Sequence, residues 1–79
     1  MEFVVIIYAK GRTVRVDGKD CGVTNHTLRV QKGHHIFDLG EPMDYHPPFI
    51  DALVQGTTPI GPLIINAFSP VAGDVGFRG

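Results

Sequence analysis

The chain has 79 residues, room for one small domain, and its 7 Lys and Arg against 8 Asp and Glu leave a net charge of −1. That balance excludes the broad basic surface of a non-specific nucleic-acid binder and a polybasic membrane anchor. A hydrophobic content of 43% excludes a disordered chain, and a single cysteine excludes an internal disulfide framework.

The first apolar run, Phe3-Val4-Val5-Ile6-Ile7-Tyr8, is mostly β-branched or aromatic and does not alternate, so it predicts a strand covered on both faces. It is too short to cross a bilayer, which needs about 20 apolar residues. It follows Glu2 rather than a basic segment. No signal peptide is expected, and the cytoplasm is the default compartment if Met1 is the natural start. Thr13-Val14-Arg15-Val16 alternates polar and apolar, the mark of a strand with one wet face. Asp17-Gly18 then reads as a two-residue hairpin turn, because both residue types tolerate positive φ. That turn pairs Val16 with Lys19 and Val14 with Cys21, which places Cys21 in the core beside Val14.

Thr27 to Gln31 alternates again, and Lys32-Gly33 reads as a second tight turn. The expected register sets Val30 opposite His35 and Leu28 opposite Phe37. Leu28, Val30, His35, Phe37 and Leu39 then point inward, while Thr27, Arg29, Gln31, His34, Ile36 and Asp38 point outward. Gly40 to Pro48 is irregular, with prolines that exclude a central strand or helix interior. Phe49 to Gln55 resumes as a strand, residues 56–62 form a loop, and Leu63 to Phe68 is the last strand. Residues 69–79 read as a Gly-rich tail that only Val71, Val75 and Phe77 can pin. No ten-residue window sustains helical spacing. The expected fold is all-β: a small antiparallel β-sandwich of six to seven short strands, one domain over residues 1–68 with a tail over 69–79.

One stretch has a more specific spacing. Gly11-Arg12-Thr13-Val14-Arg15-Val16-Asp17-Gly18 is followed by Gly22-Val23-Thr24, then by Leu28, Val30, Gly33 and His35-Ile36-Phe37-Asp38-Leu39. This resembles the PEGA domain family, whose pattern is a small-residue loop, V-x-V-D-G, G-x-T, and L-x-V-x-x-G-x-H-x-h-x-L. The name-giving Pro-Glu-Gly-Ala stretch is Ala9-Lys10-Gly11-Arg12 here, and Asn25 stands where a proline usually follows G-x-T. The resemblance implies a small bacterial β-sandwich of the kind found in surface-layer proteins, lipoproteins and ectodomains of signalling proteins, often as tandem repeats. It implies a spacer or binding role rather than catalysis.

The polar residues suggest little chemistry by themselves. His34 and His35 are strand neighbours and point to opposite faces, so they do not chelate one ion together. The spacing of Cys21, His26 and His34 matches no zinc motif. No metal site and no cofactor are expected. A buried Cys21 is a small hydrophobe rather than a nucleophile. No Gly-rich loop is followed by Lys-Ser/Thr or a helix. Glu41, Asp44, Tyr45 and His46 form the densest polar cluster, in the Pro-rich loop. Tyr45, His46 and Phe49 are the candidate binding residues, since they offer rigid aromatic area on a pre-ordered backbone.

The expected function is a non-enzymatic β-sandwich interaction module acting through protein contacts or self-association. A glycan- or cell-wall-binding module is the alternative. The apolar strands at 3–8 and 63–68 exceed what one small sandwich covers, which predicts a homo-oligomer formed through an edge strand or sheet face. No nucleic acid and no membrane insertion are expected.

Overall fold

Side-chain alternation organises the described chain, residues 1–71 of a computed structural model. Its strands are β1 (Glu2–Ile6), β2 (Thr13–Val16), β3 (Lys19–Val23), β4 (Thr27–Val30) and β5 (Gly33–Asp38), then β6 (Tyr45–His46), β7 (Ile50–Val54), β8 (Leu63–Ile65) and β9 (Ser69–Pro70). No helix occurs among the described residues. A three-stranded sheet, ordered β4-β1-β8, packs on a four-stranded sheet, ordered β3-β2-β5-β7. A short β6-β9 ribbon completes the domain. The expected all-β sandwich is therefore what forms. Its ladders are antiparallel except that β8 runs parallel to β1.

Every second residue of the facing strands enters the core. From the three-stranded sheet come Val4, Ile6, Leu28, Val30 and Ile65; from the four-stranded sheet come Val14, Phe37 and Val54. Leu39, Tyr8, Tyr45 and Phe68 complete the core. Arg29 is exposed, as its alternation requires.

The Asp17-Gly18 turn forms as expected, with φ of 53° and 84° and Val16 opposite Lys19. Positive φ at both central residues matches the twist of a two-residue hairpin. The register then changes. Arg15 pairs with Asp20 and Val14 with Gly22, so Cys21 is the extra residue of a bulge. Cys21 is exposed rather than buried beside Val14. The bulge turns it out of the alternation. Gly22 takes the inward position because β3 crosses Leu28 there, where a Cβ would stand well under 3.0 Å from Leu28 Cδ2.

The second expected hairpin does not form. β4 pairs with β1, setting Leu28 against Val4, and β5 pairs with β2 and β7, setting Phe37 against Val16 and Ile50. Gln31 and Lys32 carry the chain from one sheet to the other rather than around a tight turn. Leu28 and Phe37 face each other across the core, not along one sheet. His35 lies opposite Ala52 rather than Val30.

The domain also extends past residue 68. Ser69 and Pro70 pair with His46 and Tyr45, and the Val71 N–H donates to the Asp44 carbonyl at 2.9 Å. Val75 and Phe77 lie outside the described residues.

Candidate functional site

The Pro-rich loop is held from beneath by Arg12. Thr24 prepares that arginine: its buried hydroxyl accepts the Arg12 N–H at 2.9 Å and donates to the Lys10 carbonyl at 2.7 Å. The Arg12 side chain is only 8% exposed. Its guanidinium pairs with Asp44, donates to the Pro42 carbonyl at 2.8 Å, and lies 5.0 Å from the centre of the Tyr45 ring. The Arg12 hydrogen bond and charge hold the Asp44 carboxyl below its ordinary range.

Tyr45 is a structural residue in this arrangement. Its ring is 4% exposed and meets Phe68 edge-on at 5.6 Å. Its hydroxyl accepts the Leu39 N–H at 3.1 Å and donates to the Gly40 carbonyl at 3.0 Å. Of the three binding residues expected from the sequence, Tyr45 thus turns into the core, where its ring offers no face to a ligand. His46 is exposed, and Phe49 is 54% exposed. The sequence holds one signal for the burial: an arginine one residue past Gly11 whose charge needs a partner, and Asp44 beside Tyr45.

The histidines separate as the strand geometry demands. His34 is exposed and lies 3.4 Å from Asp51. His35 is mostly covered, with Nδ1 2.6 Å from Asp17 Oδ2 and Nε2 2.6 Å from the Gln31 carbonyl. Both ring nitrogens therefore face acceptors, which suits the doubly protonated imidazolium. Asp17 chiefly raises the His35 pKa. The Asp17 pKa is lowered in turn, first by the Ile36 N–H and then by His35. Among the described residues, no three His, Cys, Asp or Glu side chains converge as a metal site.

Two open clefts flank the β2-β3 hairpin. One, of ≈ 560 Å³, is lined in part by Arg15, Lys19, Asp20 and Glu41. Its charges cancel, and Arg15 already donates to the Gly18 carbonyl at 2.8 Å. The other, of ≈ 470 Å³, contains Cys21 and His26. The Cys21 thiol points at the Arg29 carbonyl, 3.6 Å away, and partial desolvation of the sulfur pushes its pKa up. A nucleophilic cysteine needs the opposite shift.

The outer face of the three-stranded sheet is apolar along its centre. Phe3, Val5 and Ile7 lie in a row along the central strand and are half-buried. Val5 is flanked by Thr27 on β4 and Ile64 on β8. Ile64 is 54% exposed. Glu2 and Thr57 fasten the entry to β1: the Thr57 hydroxyl donates to the Glu2 carboxylate at 2.6 Å and accepts the Phe3 N–H at 2.7 Å. The next residues make a tight turn in which Thr58 and Gly61 exchange backbone hydrogen bonds, leaving Ile60 98% exposed at the corner.

The chain matches no protein-family model, no curated protein and no solved structure.

Proposed function

We propose that this chain is a non-enzymatic β-sandwich interaction module, of the PEGA kind that residues 11–39 resemble, and that it works through protein contacts made by the outer face of the β4-β1-β8 sheet. The carrying observation is the row Phe3, Val5 and Ile7 with Ile64 half-exposed beside it. Large apolar side chains grouped on one face of so small a domain are the usual mark of a contact surface. In support of a non-catalytic reading, one flanking cleft is charge-balanced and the other holds a thiol whose pKa is raised.

The alternative, a glycan- or cell-wall-binding module, rests on the Pro-rich loop. With Tyr45 in the core, Phe49 is the loop's exposed aromatic ring for stacking, and His46 is exposed as well. Backbone amide NMR separates the two readings. A concentration series is expected to shift Phe3, Val5, Ile7 and Ile64. Cell-wall oligosaccharide is expected to leave His46 and Phe49 unmoved. Shifts confined to residues 43–49 on adding glycan would replace the first reading with the second.

A further inference from the structure

We infer that a second copy of the chain joins this sheet at its β8 edge, by antiparallel pairing of β8 with its own equivalent about a two-fold axis at Ile64. The inference rests on the proposal that the β4-β1-β8 sheet is where the domain makes its protein contacts. It names the edge, the register and the partner.

The backbone of β8 sets the edge. Ile65 is registered against Ile6, and its carbonyl accepts the Ile7 N–H at 2.9 Å. In a parallel ladder a residue bonded in this way turns both its N–H and its C=O toward the neighbouring strand. Successive residues turn opposite ways, so Ile64 directs both groups to the open side of the sheet. Among the described residues no strand pairs there. A donor and an acceptor on one residue, pointing the same way, are self-complementary. Antiparallel placement of Ile64 against Ile64 of a second copy exchanges two N–H···O bonds about a two-fold axis.

The four edges of the sandwich differ in how they are guarded. β3 carries Lys19 and Asp20, β4 carries Arg29, and β7 carries Asp51. Such charges blunt edge-to-edge pairing. β8 reads Leu63-Ile64-Ile65 and has none. Its neighbours fix the register as well. A slip toward the N-terminus brings in Pro62, which has no N–H to donate, and a slip toward the C-terminus runs past the end of the strand at Ile65. The two-fold axis stands perpendicular to the sheet, so both outer faces look the same way. Ile64 and Val5 of each copy then form one apolar strip across the junction. The pairing is short, which places it with weak, concentration-dependent dimers burying under about 1,200 Å².

The experiment is sedimentation velocity on the full chain and two variants, with cross-linking as an independent readout. The chain is expected to dimerise as its concentration rises to about 100 μM. Ile64→Pro removes the outward N–H without touching the β1 ladder. It should remain folded by circular dichroism while dimerising at least about thirty-fold more weakly, the loss expected for two backbone hydrogen bonds. Ile64→Lys, which places a guard on the same edge, should be monomeric. In a Cys21→Ser background, Ile64→Cys should oxidise to a disulfide dimer, because paired Cα atoms about 5.5 Å apart suit a disulfide. A strict monomer, or a dimer indifferent to Ile64→Pro and Ile64→Lys, overturns the inference. If that indifferent dimer still shifts the side-chain methyl signals of Val5 and Ile7 in NMR spectra, the contact-surface reading survives. If it does not, both fall.

Discussion

Replacing Gly22 with alanine tests how the sandwich is closed along its β3-β4 side. The new methyl would stand well under 3.0 Å from Leu28 Cδ2, with Leu28 Cγ at 3.8 Å. Leu28 is buried in the core, opposite Val4 on the neighbouring strand, so yielding to the new methyl means repacking it. Overpacking of this sort costs about 1–3 kcal/mol. Gly22 is not at positive φ, so the backbone itself accepts alanine. In Leu28→Val the δ carbons are gone, and that variant alone should cost about 1 kcal/mol for one buried methylene and its residual space. Adding Gly22→Ala to Leu28→Val should then be neutral or stabilise by up to about 1 kcal/mol, since alanine restricts the unfolded chain. The coupling between the two sites is thus about 2 kcal/mol, as urea titration followed by far-UV circular dichroism would measure it. Additivity within about 0.5 kcal/mol would refute the close crossing of β3 over Leu28.

Tyr8→Phe should be neutral or stabilising by up to about 1 kcal/mol, because the buried Tyr8 hydroxyl has no partner among the described residues; a clear loss in urea melts would mean that it has one. Arg12→Lys should destabilise by about 1–3 kcal/mol despite keeping the charge, since an ammonium does not span Asp44, the Pro42 carbonyl and the Tyr45 ring together; an unchanged melting temperature would count against the clamp. The His35–Asp17 pair should make stability pH-dependent at both ends. The raised His35 pKa gives stability that is full below about pH 6.5 and lost as pH rises through the folded value, and the lowered Asp17 pKa gives stability lost as pH falls through its own. An NMR titration should place the His35 midpoint above about 6.5 and show it fall in Asp17→Asn; a midpoint at or below that value would contradict the geometry.

Where the chain pattern is local, the sequence alone determined the outcome. Alternation placed Leu28, Val30, Phe37 and Leu39 inside and Arg29 outside, because side-chain direction repeats every two residues in any strand. Asp17-Gly18 specified its turn, because both φ values are positive and few other residue pairs accept that. Which strand lies beside which was a different matter. The same alternation buries Leu28 and Phe37 whether β4 and β5 form a hairpin or belong to facing sheets, so only the β4-β1 ladder decided between them. Cys21 left the core through one extra residue, and a one-residue shift carries no mark in composition. Tyr45 was drawn inward by Arg12, a residue more than thirty positions earlier in the chain whose guanidinium needed acceptors that only the folded loop supplies. The open edge at Ile64 is of the same kind. An apolar strand was legible from residues 63–68, but the side on which its N–H and C=O lie free is set by its parallel pairing with β1, a long-range contact that no local pattern records.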